Sequence, residues 1–329
     1  MTDAQDSLHR KQIVTALLVG MGYGLLTRVT FELKSLSSLL QIVSAGFLFV
    51  APFCVGAVAV LWYAKGQHVP VKRQLGLSIN AMLLFLAAMM VTLLEGLICI
   101  VLVAPVFLVA SMLGGLLAGY INNRFKVSRS TLPVFALLPL LIGPIEAHLP
   151  PEQSEQTVSN TIVIHAPPDI VFDQLAAVRD IRPAELGFSF VHLIGLPKPV
   201  EAAMDGSGVG SVRTSRWEKG VEFKEVITEW NRPVALHYQF RIPPGSIPRH
   251  ALDRHVELGG DYFTVLDGGY DLVRLENGDT RLSLTTRFLN KSHLKLYGDL
   301  WGRMVLADFH QSILGLMKNR AEKANLSPG

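Results

Sequence analysis

Charge is spread unevenly along this 329-residue chain, and the break falls near residue 150. Residues 1–149 carry 10 Lys and Arg and 5 Asp and Glu, whereas residues 150–329 carry 20 and 22. A long stretch so poor in charge has too little polar surface to face water on every side, so it reads as membrane-embedded. The second half has the composition of an ordinary soluble α+β domain. The formal net charge of +3 therefore belongs to the first half. The second is slightly negative and gives no electrostatic case for nucleic acid. A membrane unit (1–149) is joined by a linker (150–156) to a globular domain (157–323) with a short tail (324–329), and any function must account for the tether.

A helix that crosses a bilayer needs roughly 20 apolar residues. Five candidate spans are expected: Ile13–Val29, Leu39–Ala64, Ile79–Leu94, Ile98–Ile121 and Leu132–Ala147. The third and fourth come from one run split near Glu95-Gly96, and Pro105 can kink the fourth. The fifth is short and holds Pro133, Pro139 and Pro144. Arg10, Lys11, Lys65, Lys72, Arg73, Arg124, Lys126 and Arg129 fall on one side of these spans, and only Arg28 and Lys34 on the other. That bias places the amino terminus in the cytoplasm. With five crossings, residues 150–329 are expected outside, in the periplasm of a two-membrane bacterium. The first span has no small-residue cleavage site and reads as a retained helix. Glu95 is expected at the water interface, at the turn, without an intramembrane partner that would make it a relay. Gly20-x-x-x-Gly24 and Gly115-x-x-x-Gly119 read equally as close-packing motifs or as ordinary membrane-helix glycine. Cys54 and Cys99 lie in apolar runs, and the soluble half has no cysteine, so disulfides, thiolate nucleophiles and Cys-based zinc sites are not expected there.

In the soluble half, Thr157–His165 alternates as a strand. Ala166-Pro167-Pro168-Asp169 ends it and opens a helix over Ile170–Val178, with a second helix expected over Ala184–Ile194. Strands follow over Lys198–Met204, Gly208–Trp217, Val221–Trp230, Val234–Ile242, Tyr262–Leu266, Tyr270–Leu275 and Thr280–Leu289. A long helix over Leu294–Lys323 closes the domain.

Ile162-Val-Ile-His-Ala-Pro-Pro-Asp-Ile-Val-Phe-Asp173, Gly208-Val-Gly-Ser-Val-Arg213 and the closing helix with Trp301 and Asp308-Phe309-His310 resemble the SRPBCC (START-like, helix-grip) superfamily, in its polyketide cyclase/dehydrase and lipid-transport-like branch. The resemblance covers about residues 157–323. It implies a curved antiparallel sheet around the closing helix, with an elongated apolar cavity between them for a hydrophobic small molecule or lipid. Glu95-Gly-Leu-Ile-Cys99 and Leu113-Gly-Gly-Leu-Leu117 are similar to bacterial proteins that fuse such a domain to several spans.

The residues support an inward apolar face independently. Leu236, Tyr238, Phe240 and Ile242 share one strand face, as do Leu282, Leu284, Thr286 and Phe288 on the last strand. Tyr297, Trp301, Met304, Val305 and Asp308 are expected to face the sheet from the closing helix. Each of these reads as plain core packing or as ligand contact. On Val221–Trp230, Glu225 falls on the apolar face with Phe223, and a carboxylate there needs a partner or a raised pKa. Arg213, or Arg216 in another register, can pair with it. The pair is either a structural cross-strand bridge or a ligand-orienting or general-base site, and Glu225, Arg213 and Asp308 are the catalytic candidates. Pro243–Gly260 is long for a turn and reads as a lid; its His250 and His255 match no metal motif, and no metal is expected. Lone His165 and His310 read as structural or surface residues. No phosphate loop, dinucleotide fingerprint or nucleophile elbow is present, and no cofactor is expected. The expectation is a membrane-anchored domain that binds a hydrophobic ligand. The alternatives are a cyclase, dehydratase or hydrolase, and a tethered interaction module with a filled core.

Overall fold

A computed structural model describes residues 2–33, 44, 46–126, 132–146, 153–248, 251–252, 258–260, 262–292 and 295–326. The chain divides into two compact units, Met1–Pro151 and Glu152–Gly329.

The first unit is helical: α1 (Thr2–Glu32), a π-helical turn (Gly46–Val50) leading into α2 (Ala51–Ala64), α3 (Val71–Val91), α4 (Leu97–Phe125) and α5 (Leu132–Glu146). Among the described residues, four segments are long and apolar enough to cross a membrane: Asp6–Glu32, Gly46–Ala64, Val71–Val91 and Leu97–Phe125. The expected fifth span is corrected. Among the described residues the apolar part of α5 is only Leu132–Ile142. A 15-residue helix rises about 22 Å, short of the roughly 30 Å of hydrocarbon, and Pro139 and Pro144 interrupt it. It packs instead on α2, where Phe135 meets Cys54, Ala57 and Leu61, and Tyr23 Oη of α1 donates to Ala136 O at 3.1 Å.

Glycine brings these helices into backbone contact. A Cβ on Gly56 would lie 2.0 Å from Ser111 O, and one on Gly114 would lie 1.8 Å from Phe53 O, so α2 and α4 touch main chain to main chain. Gly115 and Gly119 likewise admit Ser78 and Gln74 of α3. Several buried polar groups are paired between or at the ends of these helices: Gln74 Nε2 donates to Val69 O, Ser111 Oγ to Ser78 O and Asn122 Nδ2 to Gln67 O, while Asn122 Oδ1 is buried without a hydrogen-bond partner. Glu95 sits in the turn between α3 and α4. It does have a partner: the buried Arg28 of α1 donates to Glu95 Oε1 at 2.9 Å, to Leu94 O at 3.0 Å and to Glu32 at 2.7 Å. The cluster ties α1 to the α3–α4 turn.

The second unit is a seven-stranded antiparallel sheet with a long closing helix. Its strands are β1 (Ser154–Ile164), β2 (Pro199–Asp205), β3 (Val212–Trp217), β4 (Val221–Asn231), β5 (Ala235–Arg241), β6 (Phe263–Arg274) and β7 (Thr280–Asn290), in the order β1-β7-β6-β5-β4-β3-β2. α6 (Pro168–Ala176) and α7 (Phe190–Leu193) lie between β1 and β2, and α8 (Lys295–Leu326) ends the chain. The alternation of β7 continues through all 11 residues, and it is paired on both sides, with β1 and β6. Two expectations are corrected. The helix expected over Ala184–Ile194 is a 3₁₀ turn (Pro183–Glu185) and the one-turn α7, because Gly187 and the capping Ser189 break the run. The strands expected at Tyr262–Leu266 and Tyr270–Leu275 are one strand, with a register shift between Val265 and Asp267. Gly268 and Gly269 are not a turn: a Cβ on Gly269 would meet His237 Cδ2 at 2.1 Å, so glycine permits close strand contact.

α8 buries Asp299, Gly302, Leu306, His310, Ile313, Leu314, Met317 and Ala321. This spacing of three and four is one helix face. The face expected from the sequence is thereby corrected: Met304 points to solvent, and Trp301, Val305 and Asp308 flank the contact. Gly302 stands where the Phe288 ring presses on the helix, a Cβ there lying 2.6 Å from the ring. Polar contacts clasp α8 along its length. Ser154 Oγ and Asn290 Nδ2 both donate to Asp299, at 2.9 Å each. His310 bridges Thr286 Oγ1 at 2.9 Å and Asn160 Oδ1 at 3.1 Å. Arg320 binds Glu185 and, with the Arg182 backbone, holds its carboxyl down at about 2. The main-chain N–H of His165 donates to Glu322.

His310 makes stability depend on pH. Burial holds its imidazole at about 4, against about 6.5 in the unfolded chain. The unfolded chain takes up the proton first as pH falls. The stabilisation is therefore complete above about pH 6.5 and is lost progressively toward pH 4, by up to about 3 kcal/mol. Denaturant melts of residues 152–329 at several pH values should show this slope, with His310→Gln flattening it. Equal slopes for the two proteins would refute the assignment. In the helical unit, Gly114→Ala should abolish a monodisperse, folded preparation in detergent. Gly76→Ala, with nothing within 4 Å of its Cβ, should leave melting unchanged.

Candidate ligand-binding interior

The interior of the second unit holds a buried cross-strand ion pair. Adjacent strands β3 and β4 place Arg213 directly opposite Glu225, and alternation turns both inward, where they are 2 % and 6 % exposed. Arg213 Nε donates to Glu225 Oε2. Its Nη1 donates to Leu175 O at 2.7 Å, capping a carbonyl that the end of α6 leaves unpaired. Arg216 takes the outward position and binds Glu201 and Glu222 instead. Rings cover the guanidinium: the Tyr238 and Tyr270 centroids lie 4.8 and 5.7 Å from its Cζ. Burial pushes the Glu225 carboxyl above its ordinary value, and the charge of Arg213 pulls against that rise. Burial also pushes both tyrosines up, so they are neutral phenols.

A run of rings leads away from this pair. Tyr270 meets Tyr238 at 6.3 Å between centroids, Tyr238 meets Phe240 at 5.3 Å, and Phe240 meets Phe223 at 5.7 Å. Phe223 meets Trp217 at 5.6 Å, Trp217 stacks on Phe309 of α8 at 4.8 Å, and Phe309 meets His192 of α7 edge to face at 6.4 Å. The pair end is closed by Leu236, Leu284 and the Ile313–Met317 turn of α8. The other end is looser. Phe240 is shared by three apolar clusters, and it, Trp217 and Phe309 are only half-buried although they face inward. His192 Nδ1 lies 3.2 Å from Leu196 O, which as a donor–acceptor pair assigns the proton to Nδ1. Its Nε2 is then an acceptor, buried without a hydrogen-bond partner. Burial lowers its pKa, keeping the ring neutral.

The anticipated site residues fall into separate places. Glu225 is half of the ion pair and Tyr238 covers Arg213, the other half; Leu236 and Leu284 share an apolar cluster with Tyr238 and Tyr270, and Phe223 and Phe240 belong to the run of rings. Phe288 packs with Val158, Val265 and Leu306. Trp301 and Val305 are half-buried, Trp301 lying edge to face with Tyr297 at 6.1 Å, and Met304 is exposed. Asp308 has other partners: its carboxylate accepts from Ser189 Oγ at 2.6 Å, Phe190 N at 3.2 Å and Val191 N at 3.0 Å, fastening α7 to α8. Ile247, Ala251 and Leu252 of the anticipated lid pack on Val221 and Phe223; Arg249, His250, Asp253, Arg254, His255 and Glu257 lie outside the described residues.

Sequence reasoning missed the Trp217–Phe309–His192 stack and a polar groove on the outer sheet face. The groove has a volume of about 380 Å³ and is lined by His237, Gln239, Asp267, Asp271, Thr285 and Arg287 over Gly268 and Gly269. His237 is held between Glu229 and Asp271 at 2.9 Å each, and Arg287 between Asp267 and Glu155. The outward alternation of His237 and Gln239 on β5 was the signal for it. Among the described residues no three His, Cys, Asp or Glu side chains are grouped to hold a metal ion.

No family model and no curated protein matches the sequence. Solved structures do. A Staphylococcus aureus protein of unknown function is 10 % identical, with 54 % of this chain and 99 % of that one covered and a TM-score of 0.35. The ZhuI aromatase/cyclase of Streptomyces sp. R1128 is 16 % identical over 52 % of this chain and 96 % of its own, at a TM-score of 0.33. Norcoclaurine synthase of Thalictrum flavum is 14 % identical over 54 % and 98 %, at 0.32.

Proposed function

We propose that the second unit binds an apolar small molecule or lipid between its sheet and α8, and that the helical unit anchors it to a membrane. The observation that carries this reading is the run of rings from His192 to Tyr270, loose at one end and ending at a buried ion pair. Rings offer a flat, apolar surface for an acyl or polycyclic body. The Arg213–Glu225 pair presents both signs of charge to a polar head, and His192 Nε2 can accept from a hydroxyl. A membrane anchor suits such a ligand, which partitions into bilayers. Asp308 is committed to three donors of α7, so its part is positional rather than acid–base.

Residues 152–329 have a core of their own and can be tested alone. Native mass spectra and solvent extracts should show a bound apolar species. Replacing Arg213→Met together with Glu225→Leu removes both charges without stranding either, so the fold should persist. A ligand with a polar head should then bind about tenfold or more weakly. A domain that carries no apolar species and takes up no lipid when offered it would sink the reading.

The side of the membrane follows from the span count. The outward placement expected for residues 150–329 depended on a fifth crossing. With four, the same Lys and Arg bias puts the second unit on the cytoplasmic side with the amino terminus. Carboxyl-terminal fusions report this directly: green fluorescent protein should fluoresce and alkaline phosphatase should be inactive. The reverse pattern would mean that α5 crosses after all.

A further inference from the structure

The first turns of α8 carry an apolar stripe on the face away from the sheet. Leu296, Leu300 and Met304 are 85 %, 48 % and 49 % exposed, and their spacing of four aligns them over about 12 Å of helix. Such a stripe in water is unusual for a soluble domain. Lys295 and Arg303 flank it, while the acidic side chains of this segment are turned away: Asp299 is buried on Ser154 and Asn290, and Asp308 caps α7. The exposed chemistry is therefore apolar and cationic. Tyr297 and Trp301 lie half-buried beside the stripe, with the Trp301 Nε1 turned into the interior. Asp308, one turn beyond Met304, also fastens α7, whose end of the domain exposes Phe188 and Leu193.

The chain itself says what meets this surface. Ser154, the first residue of β1, is bonded to the buried Asp299, at the level of Leu296 and Leu300 along α8. Only seven residues separate Ser154 from Glu146, the end of α5, a reach of at most about 28 Å. The tether thus enters the second unit beside the stripe. We infer that Leu296, Leu300 and Met304 form a docking face that lies in the headgroup region of the bilayer the protein is anchored in, with anionic lipid as its preferred partner. The inference rests on the membrane anchoring proposed above and not on ligand binding.

The test uses the full chain with Cys54 and Cys99 replaced by alanine, reconstituted in vesicles of phosphatidylcholine with one quarter phosphatidylglycerol. Nitroxide labels are placed singly by Leu300→Cys, Met304→Cys and, as controls, Val234→Cys on the second unit and Leu83→Cys on α3. Collision with oxygen should exceed collision with a water-soluble nickel complex at positions 300, 304 and 83, and fall below it at 234. Lys295→Glu with Arg303→Glu should lower the ratio at 300 in these vesicles. A position 300 as aqueous as 234 overturns the docking face, and so does a label immobilised there but screened from both reagents, which means a protein partner. If position 83 is aqueous, the anchoring itself fails and the docking face fails with it.

Discussion

The second unit depends on how α8 is seated against the sheet. Its inward face mixes apolar side chains with Asp299, His310 and Ser312, which are buried. Asp299 and His310 are matched to fixed partners on β1 and β7. A slide of the helix by one turn, about 5.4 Å, would strand a carboxylate and an imidazole in the interior, each costing more than a lost neutral hydrogen bond. Glu185 and Glu322 fix the far end. The position of Phe309 against Trp217, and of Asp308 against α7, follows from that seating.

The Arg213–Glu225 pair has a different character. Removing two charges from water is expensive, and a well-packed apolar pair of the same volume is often as stable. The surroundings reduce the penalty by giving the guanidinium a carboxylate, a helix-end carbonyl and two ring faces. Stability alone does not call for this arrangement. Apolar replacements cannot supply a fixed charge pair at the end of the run of rings, and the polar-head recognition proposed above rests on that pair.

Much of this was legible in the chain, for reasons that can be named. Period-two alternation put Glu225 on the inward face, and the antiparallel neighbour offered Arg213 as partner. The closing helix was misread because apolar residues occur on both of its sides. Inward positions are held partly by glycine, aspartate and histidine, and outward ones by leucine and methionine, so hydrophobicity pointed to the wrong face at Met304. Tyr262–Leu266 and Tyr270–Leu275 read as two strands because Gly268 and Gly269 fall between them, and glycine's freedom and glycine's smallness look alike in one dimension. Glu95 looked unpartnered because Arg28 is 67 residues away in sequence. The stack of His192 on Phe309 joins α7 to α8 and has no local signature.

The stripe on α8 is weak in isolation, and that is consistent with its setting. Three side chains, each worth roughly 1.5–3 kcal/mol when fully buried, would be only partly buried among headgroups. A free domain with so small a contact would hold to a membrane only marginally, as a single acyl chain does. Tethering changes the arithmetic. A short linker converts docking into an intramolecular step at millimolar effective concentration, so a stripe of this size is enough to orient the domain most of the time while leaving it free to lift. On the docking proposed above, the helix that packs on the sheet is the same helix that meets the bilayer. The short connection between α5 and β1 is the element that makes so modest an apolar surface sufficient.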